Sequence, residues 1–393
     1  MSFRSITLLI AVVSSILGFA LKVQCQTQSS LSIFSSVLRT CYSDVSALYG
    51  ARDFYLGIIP YFQIQSDGQF LEYPVLIGLQ MFFASVLTNL VSPGSWQFFT
   101  YVNWTINLLF IVIAVWYLHK LSPKAARWFA LSPALLLVLG INWDAMAIML
   151  MILGLYFFQQ KRYINMGIAL GLGMSAKLFP ILILPVAIVY LYQERNVKAI
   201  LEGVSAAIVS WVIVNITFIL FAFDGWIRFF TFSRERGIDF GSPYLATLFL
   251  TDFRISTSVA NTLGLISVAI AYGVVFALRQ RIDFLVSVTL VLSVFVLMNK
   301  VYSPQFWLWL TPLFALVITN RWNWIQWNIS QVLYFFAVWA FIGSYVKQPY
   351  SISESTYSYF ILIHFVSTIF ALSVVMRSAI RNQPQPVHDP SHP

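Results

Sequence analysis

Apolar runs near membrane-span length recur along the chain from Ser5 to Met376, separated by short polar or basic stretches. They lie near 5–23, 74–92, 99–118, 126–141, 144–160, 163–176, 179–193, 200–222, 256–278, 283–298, 304–319, 323–343 and 357–376. About 20 apolar residues in a helix cross a hydrocarbon core of roughly 30 Å, so the pattern predicts an all-α polytopic transmembrane protein. Several runs are shorter and come as tight pairs, 126–141 with 144–160 and 163–176 with 179–193. The turns inside these pairs, Asn142-Trp143-Asp144 and Ser175-Ala176-Lys177, are therefore expected below the outer membrane surface. Backbone turns at that depth are tolerated only where protein or a wet cavity satisfies them, which predicts a polar cavity opening outward.

Composition supports the membrane class. Hydrophobic residues make up 59% of the 393 residues, charged residues 9%, and the mean hydropathy is +0.80. A soluble domain carries roughly 25% charged residues, and so few charges cannot cover a water-soluble globule of this length. No stretch is polar and long enough for a separate soluble domain, so residues 1–376 read as one membrane domain. Residues 377–393 read as a cytoplasmic, Pro-rich disordered tail. The first run follows Arg4 and lacks a small-x-small cleavage pattern around Lys22, which favours an uncleaved signal anchor over a secretory signal peptide. Cys25 and Cys41 both fall in the first non-membrane segment. If that segment is outside the cytoplasm a disulfide is permitted; the alternative is two free thiols.

Charge refines the topology. Counting every run as a full crossing places the basic groups around Lys124, Lys161 and Arg279 on the side opposite Arg4. The positive-inside rule is restored if 74–92, which carries Gln80, Thr88 and Asn89 and is flanked by Pro74 and Pro93, lies at the outer leaflet without crossing. About twelve crossings remain, with both termini cytoplasmic, and the whole net charge of +9 falls on the cytoplasmic face. The basicity is thus a topogenic signal and not a nucleic-acid patch.

The outer face then collects the chemically interesting residues. The loop 24–98 carries Asp44, Arg52, Asp53, Asp67 and Glu72; the short turns carry Asp144, Lys177 and Lys300; the loop 223–255 carries Arg234, Glu235 and Arg236. Ionisable groups at membrane depth default to functional candidates. Lys177, between a Gly-rich run and Pro180, is the sharpest case, against the alternative of a lysine that snorkels to the interface. Asp144 either positions a substrate or caps its helix. The sequons at Asn103, Asn215 and Asn328 fall in or beside spans, where glycosylation is implausible. The four histidines form no metal constellation, the acidic residues have no metal-ligand spacing, and no P-loop or dinucleotide fingerprint occurs, so no cofactor is implied.

The run Cys41-Tyr42-Ser43-Asp44 through Tyr49, with Arg52, Gly57, Pro60-Tyr61 and Glu72-Tyr73-Pro74, resembles the first outer loop of bacterial family 87 glycosyltransferases. These are GT-C-type polyprenol-phosphate-mannose-dependent mannosyltransferases. The resemblance continues through Asn142-Trp143-Asp144, Ala176-Lys177-Leu178-Phe179-Pro180, Phe232 to Gly237, and Asn299-Lys300-Val301-Tyr302-Ser303-Pro304-Gln305. It covers about residues 1–320. The resemblance implies an enzyme of the plasma (inner) membrane that draws a sugar from a polyprenyl-phosphate donor. It passes that sugar to a glycolipid or glycan acceptor outside the cytoplasm. It also implies that an acidic residue of the first outer loop is the base. Asp44 matches that position, with Asp53 the rival. It is consistent too with a juxtamembrane helix after the Tyr-Pro motif.

The chemistry agrees with this kit. A carboxylate takes the acceptor proton, and cations hold the phosphate leaving group. Lys177, Lys300, Arg234 and Arg236 are the phosphate candidates. Arg52, Asp53, Glu72, Tyr73, Asp144, Glu235, Tyr302 and Gln305 are the assisting candidates, although Glu235 could simply neutralise its arginine neighbours and Asp53 could simply pair with Arg52. Broken helices and charges at membrane depth also suit a transporter or lipid flippase. Against that class, the charges gather at one face and no internal repeat relates two halves.

Overall fold

The computed structural model describes residues 3–23, 40–345 and 350–381. Among them are the helices α1 (Phe3–Val23), α2 (Asp44–Ala51), α3 (Val75–Val91), α4 (Trp96–Leu121), α5 (Pro123–Ala130), α6 (Pro133–Leu137), α7 (Ala145–Gln159) and α8 (Tyr163–Ala176). Then follow α9 (Ile183–Gln193), α10 (Val197–Phe221), α11 (Phe223–Glu235), α12 (Pro243–Thr251), α13 (Thr257–Leu278), α14 (Phe284–Leu297), α15 (Phe306–Val317), α16 (Arg321–Ser344) and α17 (Glu354–Arg381). No strand occurs among the described residues. Six helices, α1, α4, α10, α13, α16 and α17, are long and apolar enough to cross a membrane. The chain is an all-α multi-pass membrane protein.

The short apolar helices are the interior of the molecule. In α14 the residues Val286 to Ser293 are buried without a break, and α15 is buried from Trp307 to Ala315. By contrast α10 and α13 leave Ile213, Leu220, Leu265 and Ile270 exposed, as helices facing hydrocarbon do. Close helix approach is built from small residues. A side chain at Gly167 or Gly171 of α8 would run into the backbone of α10 at Gly203 or Ala207, within 2.1–2.2 Å. Packing of small residues, not a solvent-driven force, is what joins helices within lipid.

The apolar run 126–141 does not form one helix, as the sequence pattern suggested, but breaks into α5 and α6. Ser132 and Pro133 cause the break. Proline has no N–H to continue the ladder and disfavours helical backbone at the residue before it. Ser132 turns extended and its hydroxyl caps the new helix by accepting from the Ala134 N–H. The run 74–92 is the 17-residue helix α3, bounded by Pro74 and Ser92 and packed against α4 and α8. Helix α17 continues through Arg381, five residues into the segment read as tail, and 382–393 lie outside the described residues. Cys41 is disulfide-bonded; Cys25, the chain's other cysteine, lies outside the described residues.

Two loop segments that carry candidate cations are tied to each other. The Asp239 N–H donates to the Lys300 carbonyl (3.0 Å), and the Tyr302 N–H donates to the Phe240 carbonyl (2.6 Å). Gly241 follows with a positive φ of 61°, where a side chain would collide with the Tyr334 hydroxyl. Its N–H donates to the Tyr357 hydroxyl, so α16 and α17 clamp this junction from behind.

Candidate active site

Asp44 opens α2, and its position is set by its neighbours on either side. Its N–H donates to the Ile141 carbonyl (2.8 Å), and the preceding Ser43 hydroxyl donates to the Gly140 carbonyl (2.6 Å). The segment leading into α2 is thereby fastened to the turn between α6 and α7. The Asp44 carboxylate accepts from the Tyr42 hydroxyl at Oδ1 (2.7 Å) and from Asn142 Nδ2 at Oδ2 (2.7 Å). Burial pushes the Asp44 carboxyl above the usual carboxylate range, against the opposing pull of these two hydrogen bonds and of the Lys177 charge. A desolvated carboxylate with a raised pKa is a stronger proton acceptor when ionised.

Asn142 is the hub. Its amide nitrogen also donates to the Tyr73 hydroxyl (3.2 Å), while its oxygen accepts from the Trp143 N–H (2.7 Å) and from Lys177 Nζ (3.4 Å). Its own carbonyl accepts from Asn107 of α4, which in turn accepts from Gln80 of α3. Trp143 donates its indole N–H to Asn103 of α4 (2.7 Å). Asn103, Asn215 and Asn328 are all buried.

Lys177 ends α8 in extended backbone, with Phe179-Pro180 starting a 3₁₀ turn behind it. Its side chain is largely buried. Its ammonium lies 2.9 Å from Asp144 Oδ1 and between the faces of Tyr73 (5.5 Å) and Trp309 (5.8 Å). Asp144 makes no capping hydrogen bond with its side chain, so the pairing with Lys177 is its side-chain role here. One cluster therefore joins Asp44, Tyr73, Asp144 and Lys177 of the sequence-derived candidates, and adds Tyr42 and Asn142. Both additions lie inside the quoted motifs, but neutral residues carry no charge signal to single them out.

The remaining candidates fall elsewhere. Arg52 grips Glu72 through three hydrogen bonds (2.6, 2.9 and 3.2 Å) and reaches Asp67 at 3.4 Å, so these charges stitch the loop to itself. Asp53 sits in left-handed backbone, buried, and accepts from the Ser66 N–H, again within the loop; it does not pair with Arg52. Lys300, Arg234 and Arg236 form a second basic group. Lys300 is buried and donates to the Arg234 carbonyl (2.7 Å), and burial together with the Arg236 charge lowers its pKa. Arg236 meets Asp239 at 3.3 Å, and Arg234 meets Glu235 at 3.6 Å on an exposed surface. Tyr302 is buried and donates to Gln331 of α16 (2.7 Å), so it supports the second group from behind. Gln305 is buried where α15 begins. Among the described residues, no group of three or more His, Cys, Asp or Glu side chains gathers as a metal site would.

A family model described as Mannosyltransferase (PIG-M) matches residues 140–380. That span holds Asn142, Asp144, Lys177, Arg234, Arg236 and Lys300; Asp44 and Tyr73 precede it. No curated protein matches the chain. Among solved structures it is similar to ArnT from Cupriavidus metallidurans bound to undecaprenyl phosphate, at 12% identity over 94% of this chain and 76% of that one, with a TM-score of 0.46. It is similar also to the Archaeoglobus fulgidus oligosaccharyltransferase in its apo form, at 10% identity over 97% of this chain and 56% of that one, with a TM-score of 0.42.

Proposed function

The chain belongs to the mannosyltransferase (PIG-M) family, and from that premise we propose that it transfers mannose from a polyprenyl-phosphate donor to a hydroxyl of a lipid-linked or surface glycan. The observation that carries the proposal is the Asp44–Asn142–Lys177 cluster, one carboxylate coupled through an amide to one cation. In the reaction Asp44 takes the proton of the acceptor hydroxyl. The freed oxygen bonds to the anomeric carbon as the bond to the phosphate oxygen breaks, and the lipid phosphate leaves without needing a proton. Direct displacement inverts the anomeric centre. Lys177 and the Lys300–Arg234–Arg236 group supply the positive charge a departing phosphate requires. The residues 1–376 act as one GT-C-type domain, and the narrower family 87 assignment rests on the motifs quoted above.

Purified protein in proteoliposomes, given radiolabelled polyprenyl-phosphate mannose and a glycan acceptor, is expected to form a new mannosidic bond and release lipid phosphate. Movement of the lipid across the bilayer with no glycosidic bond formed makes it a flippase instead. The outward placement of the site, with both termini cytoplasmic, has its own test. Single cysteines at 44, 177, 234 and 300 in a Cys-free background are expected to label from outside, and cysteines at 124 and 279 only from inside. Labelling of position 124 from outside overturns the topology.

A further inference from the structure

Lys22 is buried, with 1% of its surface exposed, in the last turn of α1. Basic residues at that place in a helix commonly serve only to offset the helix dipole. Here the ammonium leaves its own helix and donates to the Tyr42 carbonyl at 3.2 Å, twenty residues on. Its stem lies in the space left by the missing side chain of Gly140: a Cβ there would meet Lys22 Cδ at 2.9 Å and the Phe19 ring at 3.2 Å. Phe19 is in turn stacked flat on Trp104, with ring centroids 5.0 Å apart, which fixes the wall behind the stem. Lys22, Ser43 and the Asp44 N–H therefore hold one three-residue strip, Tyr42 to Asp44, against one turn, Gly140 to Asn142. A buried ammonium is costly unless an opposite charge compensates it, and the Lys22 charge interacts with that of Asp44.

We propose that Lys22 is a positioning residue for the catalytic carboxylate. It anchors the Tyr42 carbonyl, so that the Tyr42 hydroxyl meets Asp44, and its ammonium, when protonated, favours the ionised form of the carboxylate. This inference rests on the reading of Asp44 as the base. The groups that face Asp44 are Tyr42 from its own loop, Tyr73 ahead of α3, Asn142 and Asp144 ahead of α7, Lys177 after α8, and Lys22 from α1. Of these, Lys22 and Lys177 are the cations, and Lys177 is already paired with Asp144. Lys22 is thus a second cation acting on Asp44 beside Lys177.

The test is the pH dependence of kcat/KM for mannose transfer in proteoliposomes, for the wild type, Lys22→Met, Lys22→Arg and Asp44→Asn. Removing a cation makes a carboxylate harder to ionise, so the acid limb of Lys22→Met is expected to move to higher pH by about half a unit. That is about a threefold loss on the acid side beyond any loss at alkaline pH. The KM for the donor is expected to stay unchanged, and Lys22→Arg to keep the wild-type limb. A purely structural role lowers the whole profile without moving the limb, and that result overturns the inference, as does a limb shifted equally in Lys22→Arg. If Lys22→Met does not accumulate as folded protein, Lys22→Gln, which also removes the charge but keeps a polar end for the Tyr42 carbonyl, carries the same test with the same two outcomes. Asp44→Asn separates the two claims. If it stays active the base reading fails; if it is inactive and the limb is unmoved, only the role of Lys22 fails.

Discussion

Asp44→Asn is expected to lower turnover by about 10²–10⁴-fold, the range lost when a general base is removed. Asparagine keeps the size of the side chain. Its oxygen can still accept from Asn142 Nδ2, and the Tyr42 hydroxyl can rotate to accept from its amide, so the packing of α2 on Ile141 is preserved. The substitution removes a charge that burial disfavours and also the charge that compensates the buried Lys22 ammonium, two effects of opposite sign on stability, so the melting temperature is measured beside turnover. A non-transferable polyprenyl-phosphate sugar analogue is expected to bind Asp44→Asn with near wild-type affinity. The wild type should show an acid limb in kcat/KM, with activity rising as pH rises through the elevated pKa of Asp44. That limb should be absent from the residual activity of the variant. Turnover above about a tenth of wild type sinks the assignment, because it lies below the smallest loss expected of a general base.

Lys177→Met is expected to have the second large effect, and on stability as well as chemistry. Asp144 is 2% exposed and its carboxylate lies 2.9 Å from the Lys177 ammonium. Removing one partner of a buried pair strands the other and costs on the order of 3–5 kcal/mol. The double variant Lys177→Met/Asp144→Asn leaves no stranded charge, so its melting temperature in detergent should recover most of the loss. Donor affinity should not recover, because the cation is still missing. If the double variant regains donor affinity together with stability, Lys177 is a structural partner of Asp144 alone and the phosphate belongs to the Lys300–Arg234–Arg236 group.

The helical, multi-pass character was legible because apolar run length is a direct physical requirement of the bilayer. The meeting of Asp144 and Lys177 has a related reason, whereas Asp44 arrives on a long loop and Lys300, also in a short turn, lies in the second basic group. Charges in short turns between apolar runs have few places to go, and those runs force the turns to one end of the bundle. What could not be read was pairing across the loop. Arg52 and Glu72 are twenty residues apart, and Asp53 and Ser66 thirteen, so nothing local distinguishes an aspartate that folds the loop from one that faces a substrate. Lys22 was noted only as part of a missing cleavage pattern; its role depends on a glycine 118 residues away, at Gly140. The break at Ser132-Pro133 was visible as a capping serine before a proline, but the continuous apolar run masked it.

The fastening of Tyr42, Ser43 and Asp44 to the Gly140–Asn142 turn has a consequence for how such an enzyme can diversify. The strip with the carboxylate rides on the turn before α7, while the rest of the loop, from Asp53 to Glu72, is held by its own ion pair and turn hydrogen bonds and by α3 and α10, through Ser85 on the Phe54 carbonyl and Phe218 against Tyr61. These are two separately anchored pieces. Residues such as Leu56, Phe62 and Ile64 are exposed on the outer piece and far along the chain from the strip. On the proposed reading of Asp44 as the base, that surface can change to suit a different acceptor while the carboxylate keeps its geometry. Exchanging residues 54–66 between relatives should change which acceptor is used and leave the pH profile where it was.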